Sequence, residues 1–274
     1  MTNSTPPRIL SIAGSDSSGG AGIQADIKTI IMLGGYAMTA ITAVTAQNTV
    51  GVQGIAALSP AMVSQQIASC LSDIGIDAIK IGMLHDAAVI AAVAAALEDV
   101  TAPIVLDPVM IASSGAALIA PDAVAAMREM LFPRATLLTP NLPELSALSG
   151  RTLSGAQDMA EAAEELALAS GAAVLAKGGH GEGDRIVDVL LASGARAVAF
   201  DHARIDTRHT HGTGCTLSAA IATLLGHGQP LEHAVRLGRQ FVVRAIENAP
   251  GFGAGHGPLG HHFAARRDQV AGSS

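Results

Sequence analysis

Ile9-Leu10-Ser11-Ile12-Ala13, then Gly14-Ser15-Asp16-Ser17-Ser18-Gly19-Gly20-Ala21-Gly22, then Ile23 to Leu33 set the pattern for the whole chain. The first run is short and apolar between polar residues and Gly14, as a buried parallel strand requires. The second is a loop of small residues. The third repeats isoleucine at helical spacing (Ile23, Ile27, Ile30, Ile31). Strand, glycine-rich turn, helix is the unit of an α/β fold, and it recurs downstream.

Working outward, Ala40 to Gln47 reads as a strand and Pro60 to Leu71 as a helix. Ala78 to Ile81 is a strand ending at Gly82, followed by an alanine-rich helix from Asp86 to about Glu98. Ile104 to Leu106 stops at Asp107-Pro108. Pro121 to Leu131 is helical, with proline in the first turn, where its missing N–H does no harm. Thr136 to Thr139 is a strand, Gly155 to Ser170 a helix ended by Gly171, and Ala173 to Lys177 a strand ending at Gly178-Gly179. Ile186 to Leu191 and Ala195 to Phe200 read as a hairpin around Ser193-Gly194. Two helices, Cys215 to Leu225 and Leu231 to Asn248, precede a glycine- and histidine-rich tail whose His261-His262 reads as solvated. The alternation predicts a mostly parallel central sheet with helices on both faces, a three-layer α/β/α arrangement. No linker or repeat divides the chain, so one domain is expected over residues 1–274, with its core at about 8–263.

Composition narrows the function. The chain has 274 residues and 49% hydrophobic content, with mean hydropathy +0.41. Its longest apolar stretch, Ala87 to Leu97, is nevertheless too short to span a bilayer. Met1 to Arg8 lacks the basic and apolar regions of a signal peptide. A cytoplasmic protein with no membrane partner is expected. Cys70 and Cys215 have no metal-ligand spacing. A net charge of −7 and the absence of tryptophan argue against a nucleic-acid partner. A small-molecule enzyme fits best.

The polar residues that interrupt the apolar pattern fall at predicted strand ends: Gly14-Ser15-Asp16, Gln47-Asn48, Asp107, Asn141 with Glu144, and Lys177. In open α/β sheets the ligand lies beyond those carboxyl ends, so these groups are expected to share one crevice. Each also has an ordinary structural explanation; Asp107 or Asn141, for example, caps a following helix in many folds. Near the C-terminus, Arg208-His209-Thr210-His211-Gly212-Thr213-Gly214-Cys215-Thr216-Leu217-Ser218 places two glycines ahead of a helix. Glycine allows a tight turn and close approach of backbone to ligand. The helix behind it points free N–H groups and the positive end of its dipole at the turn, as an anion site requires. The same Gly-x-Gly pattern also occurs in plain tight turns. No Gly-x-x-x-x-Gly-Lys-Ser/Thr is present, so a P-loop is excluded.

Seven motifs in order carry a resemblance. They are Ala13 to Asp16 with Ser18 to Asp26, Ala46-Gln47-Asn48-Thr49, Lys80-Ile81-Gly82-Met83-Leu84, Asp107-Pro108-Val109-Met110, Thr139-Pro140-Asn141-Leu142-Pro143-Glu144, Lys177-Gly178-Gly179-His180 and His211 to Thr216. Gly255-His256-Gly257-Pro258 and His261-His262-Phe263 extend the match. Together they resemble the hydroxymethylpyrimidine/phosphomethylpyrimidine kinases of thiamine biosynthesis, within the ribokinase-like superfamily. The resemblance implies ATP as phosphoryl donor, Mg²⁺ as cofactor, an aminopyrimidine alcohol and then its monophosphate as substrates, and a homodimer.

Residue by residue it implies a γ-phosphate cradle at Gly212, Thr213, Gly214 and Cys215, and magnesium anchors at Asn141 and Glu144 with Asp107 nearby. Lys177 is expected to reach the transferring phosphate as a mobile charge; its alternative is a surface lysine. Gln47 offers amide donor and acceptor side by side, the complement of an aminopyrimidine edge. Asp26 is expected to accept from a pyrimidine N–H, Gly20 to let the backbone approach the ring, and Met83 to line the pocket. The ordinary alternatives are a solvated helix position for Asp26 and plain core for Met83. Sugar kinases of this fold carry aspartate where this chain has Cys215. That thiol is read as a base or hydroxyl-positioning group, or as a small structural residue; a helix N-terminus lowers its pKa and a neighbouring γ-phosphate raises it. His209, His211 and Cys215 suggest zinc by residue type, but a ligating cysteine there would block the cradle. Ser113-Ser114-Gly115 reads as a mobile loop. Pyridoxal kinase activity, alone or as a second specificity, and a non-catalytic pyrimidine-binding regulator are the alternatives.

Overall fold

In the computed structural model, which describes residues 5–110, 119, 121–180, 183–192 and 196–264, all nine strands join one sheet. In chain order the elements are β1 (Arg8–Asp16), α1 (Gly22–Met32), β2 (Tyr36–Gln47), β3 (Val52–Ala57), α2 (Pro60–Asp73), β4 (Ala78–Ile81), α3 (Ala87–Ala96), β5 (Ile104–Leu106) and α4 (Pro121–Met130). They continue with β6 (Leu137–Leu138), α5 (Leu142–Ser149), α6 (Ala156–Ser170), β7 (Ala173–Ala176), β8 (Arg185–Leu191), β9 (Val198–Ala203), α7 (Thr213–Gly226), α8 (Leu231–Glu247) and α9 (His261–Ala264). The sheet order is β3-β2-β1-β4-β5-β6-β7-β8-β9. The six strands from β2 to β7 are parallel, and β3, β8 and β9 add antiparallel edges.

Side-chain parity builds the three layers. Successive residues of a strand face opposite sides, so Leu10, Ile12, Ile79 and Ile81 pack with Val63, Ile67, Ile90 and Val93 of α2 and α3. Ile9 and Ala78 instead pack with Ile30, Leu217, Ile221 and Val235 of α1, α7 and α8. Both faces are therefore apolar, which is why the parallel strands read as continuous runs.

The structure departs from the sequence expectations most clearly at β1, β3, α5 and the tail. β1 continues past Gly14 to Asp16, because Ser15 and Asp16 resume pairing with β2 after a register shift. β3 was not predicted: it is an edge strand with its side chains almost all exposed, so it leaves no apolar run. α5 shows in the sequence only as a motif, although Asn141 caps it and a proline stands in its first turn. The tail is not solvated at His261, which is buried with Nε2 2.9 Å from Thr216 Oγ1, while His262 is exposed. Ser113-Ser114-Gly115 and the expected Ser193-Gly194 turn lie outside the described residues. Among the described residues no helix is long and apolar enough to cross a membrane.

Candidate active site

The parallel strands deliver their carboxyl ends to one edge of the sheet, and α7 begins there. Gly212 caps α7 in the left-handed region, at φ 83°. A Cβ on it would lie 1.9 Å from the Gly20 carbonyl oxygen, so this turn and the loop after β1 fit only without a side chain. The first-turn amides at Gly214 and Cys215 have no acceptor within a helix. A Cβ at Gly214 would sit 3.1 Å from Asp107 Oδ2 and 3.3 Å from Lys177 Nζ. The helix N-terminus, a carboxylate and an ammonium thus converge on one point.

Asp107, directly after β5, accepts from Lys177 Nζ at 2.8 Å and from Thr139 Oγ1 at 3.1 Å. Burial pulls the Lys177 ammonium down, but Asp107 and Glu144 outweigh it and hold it charged. Lys177 is therefore mostly buried and paired, neither a surface lysine nor a freely mobile charge. Asn141 and Glu144 cap α5 reciprocally: Glu144 N–H donates to Asn141 Oδ1 at 2.9 Å, and Asn141 N–H donates to Glu144 Oε2 at 2.8 Å. The helix-capping explanation thus holds for Asn141 alongside any other role. Burial, reinforced by the charge of Asp107, pushes Glu144 up to about 7.

Among the described residues, no three His, Cys, Asp or Glu side chains gather as a metal site by themselves. The chemistry of the donors still fits magnesium. Two neighbouring buried carboxylates against one lysine leave negative charge for a hard cation to offset, held largely through its own water.

On the other side of the Gly212 turn, Asp16 is a hub. Its carboxylate accepts from Ser18 Oγ and N–H and from the N–H groups of Gly20 and Ala21. His211 Nε2 lies 2.8 Å from its Oδ2. Burial raises the Asp16 pKa, but these bonds outweigh it and the net shift is downward. Gln47, half-buried at the end of β2, accepts from Thr45 Oγ1 at 3.1 Å, and its Nε2 is 3.4 Å from His211 Nε2. A Cβ at Gly20 would press on the His211 ring, and one at Gly14 would meet Met83 Cε at 2.5 Å. Gly20, Gln47 and His211 therefore lie together beside the α7 N-terminus, and Met83 packs against Gly14 near the end of β1.

Asp26 is placed differently from either sequence expectation. It is neither solvated nor on the crevice surface but fully buried, with Oδ2 accepting from Ser11 Oγ at 2.6 Å and Lys80 Nζ at 2.8 Å. Its Oδ1 has no partner among the described residues. Parity explains the burial. Ser11 and Lys80 pair across β1 and β4 and face the same side as Ile9 and Ala78, beneath α1 and α7. Burial raises the Asp26 carboxyl. The Lys80 ammonium, also fully buried, is held charged above its ordinary range by Asp26 and Asp107 despite desolvation. Cys215 stands over this pair. Desolvation pushes its thiol up to about 11, although Lys80 and the Gly22 N–H draw it down. Burial wins over the helix N-terminus, and the thiol keeps its proton at neutral pH.

The family model for phosphomethylpyrimidine kinase matches residues 16–260. The chain belongs to the phosphomethylpyrimidine kinase family. It is 44% identical over 264 residues to the hydroxymethylpyrimidine/phosphomethylpyrimidine kinase of Bacillus subtilis, covering 96% of this chain and 97% of the relative. It is 46% identical to the thiamine biosynthesis bifunctional protein ThiED of Geobacter sulfurreducens over 94% of this chain, and spans 52% of that longer protein. Among solved structures, a phosphomethylpyrimidine kinase from Clostridium difficile superposes at TM-score 0.78 with 38% identity, over 88% of this chain and 99% of the other. The pyridoxal kinase from Staphylococcus aureus in complex with AMP-PCP and pyridoxal superposes at 0.88 with 33% identity, over 96% of both. This family is a kinase family, and the ribokinase-like fold expected from the motifs is the fold observed.

The sequence reading assigned no role to three buried side chains of this region: Lys80, Ser11, and His211 as the partner of Asp16. Lys80 left a usable signal, since a lone lysine inside a four-residue buried strand must have a buried partner.

Proposed function

We propose that the protein, as one catalytic domain, transfers the γ-phosphoryl group of ATP to the hydroxymethyl oxygen of 4-amino-5-hydroxymethyl-2-methylpyrimidine. It then phosphorylates the monophosphate to the diphosphate, in the cytoplasmic supply of thiamine precursor. The observation that carries this reading is the approach of Asp107 and Lys177 to Gly214 at the free N-terminus of α7. Phosphoryl transfer needs an anion cradle, a cation and a metal anchor in one place, and little covalent chemistry from the protein.

In this reading the N–H groups of Gly212 to Cys215 hold phosphate oxygens, with Thr213 at the rim. Lys177, kept charged by Asp107 and Glu144, offsets the charge that develops on the transferring group. Asp107, Glu144 and Asn141 hold hydrated Mg²⁺, which supplies charge neutralisation on the phosphates when bound. Gln47 pairs with the aminopyrimidine edge, Gly20 and Met83 shape the ring pocket, and Asp26 acts from below through Lys80. Cys215, as a protonated thiol, orients the attacking hydroxyl.

The second reading is pyridoxal phosphorylation, favoured by the close superposition on a pyridoxal-bound kinase. Purified protein with ATP and Mg²⁺, offered each alcohol in turn, decides between them by diphosphate or pyridoxal phosphate formed. Tight pyrimidine binding without turnover of either alcohol would instead mark a regulator and refute both. We extend the reading to a homodimer that covers the exposed Val44, Val50 and Ile55 of the β2–β3 edge. Light scattering at monomer mass would refute it.

A further inference from the structure

We infer that Asp188 and Arg239, on β8 and α8, are positioning residues for Lys177. The inference rests on the reading of Lys177 as the phosphate-side cation. After β7 the backbone turns against β8 so closely that a Cβ on Gly178 would lie 2.0 Å from the Val187 carbonyl oxygen. That approach lets the Gly178 N–H donate to Asp188 Oδ1 at 2.8 Å. The Lys177 N–H donates to the Pro140 carbonyl at 2.9 Å. Both amides flanking the Lys177 Cα are therefore held, one by the β6 side and one by Asp188.

The other Asp188 oxygen accepts from Arg239 Nε at 2.7 Å, and Arg239 Nη2 donates to the Phe200 carbonyl at 3.1 Å and lies 2.9 Å from His202 Nδ1. Both side chains are about nine-tenths buried. A buried ion pair is weak evidence for stability, because apolar residues of similar volume usually serve packing as well or better. What this pair supplies is a direction. Arg239 fixes the Asp188 carboxylate, Asp188 fixes the Gly178 amide, and the turn between them sets the base of the Lys177 side chain. Lysine is a flexible stem, so its ammonium is placed only as well as its Cα and its partner allow. At the far end, Lys177 Nζ meets Asp107 at 2.8 Å. The contacts thus run unbroken from α8, on one face of the sheet, to the mouth of the phosphate cradle.

Steady-state kinetics with ATP and the hydroxymethylpyrimidine test this. Asp188→Ala is expected to lower kcat at least tenfold with the pyrimidine KM within twofold. In a Lys177→Ala background the same change is expected to cost less than a further twofold, because its route is already cut. Asp188→Asn keeps an oxygen for the Gly178 N–H and leaves Arg239 in place, and is expected to recover at least half of the lost turnover. A folded Asp188→Ala enzyme with wild-type kcat overturns the inference, as does an equal fold-loss in both backgrounds. If Asp188→Ala does not fold, Arg239→Met alone is read in the same two backgrounds with the same outcomes. Full activity in Lys177→Ala would instead refute the underlying role of Lys177, and that result is visible separately.

Discussion

Replacing Gly214 by alanine separates stability from catalysis at the α7 N-terminus. Gly214 lies inside the helix, where alanine is favoured over glycine by about 1 kcal/mol. The new methyl would stand 3.1 Å from Asp107 Oδ2 and 3.3 Å from Lys177 Nζ, tighter than ordinary contact, so those side-chain ends must yield by a few tenths of an ångström. Both are ends of side chains that can move, which costs roughly the helix gain or less, and net stability is expected within about 1 kcal/mol of wild type. Function has no such tolerance. The methyl occupies the approach to the helix amides and displaces the two groups that face them. Loss of one well-placed donor in an oxyanion site costs roughly 100-fold or more, about 2.7 kcal/mol.

We therefore expect kcat/KM for ATP to fall about 100-fold in Gly214→Ala, measured by coupled ADP release, with Tm nearly unchanged. Gly212→Ala is the contrast. There a left-handed φ costs about 1–2 kcal/mol, and collision with the Gly20 carbonyl costs about 1–3 kcal/mol more. Activity and Tm should fall together. Wild-type kcat/KM in Gly214→Ala would show that no phosphate binds at this helix end.

Further outcomes follow from three buried groups. Cys215→Ala is expected to lower turnover at least tenfold with nucleotide binding kept. In a Cys70→Ser background the alkylation rate of Cys215 should climb with pH toward about 11; an inflection near 8.5 would contradict a desolvated thiol. Burial pushes His261 down to about 4 from 6.5. The unfolded chain therefore binds more protons between those values, and this stabilisation, present above pH 6.5, is lost as pH falls toward 4. It amounts to about 3 kcal/mol, and a His261→Gln protein should show a visibly flatter Tm profile across that window. Lys80→Met leaves Asp26 buried without its cation and should cost about 3–5 kcal/mol in chemical denaturation. Asp26→Asn added to it should return part of that loss, and a stable single variant would contradict the buried pair.

Much of this site was legible in the chain because its chemistry is tied to backbone position. Apolar runs that stop at Asp107, Asn141 and Lys177 announce strands whose carboxyl ends share an edge. A Gly-x-Gly ahead of an apolar helix announces free amides whatever packs around them. Those features depend on local periodicity and on the right-handed α/β connection, both of which a single sequence carries. The edge strand β3 and the eight-residue helix α5 were less visible, since an exposed strand has no apolar signature and a two-turn helix has little room for a periodic one.

The tertiary structure alone decided what each side chain does once it arrives. Asp26 and Lys80 lie 54 residues apart, and only the packing of α1 on β1, with β4 beside it in the sheet, makes them a buried pair rather than a ligand contact and a strand lysine. His211 reads as a possible metal ligand until Asp16, from the other end of the chain, takes its ring nitrogen. The Cys215 thiol has a helix N-terminus in its favour on paper, yet the slab of protein around it raises its pKa to about 11. Residue type and spacing are properties of the chain, whereas desolvation and partnership are sums over neighbours that only the folded molecule brings within reach.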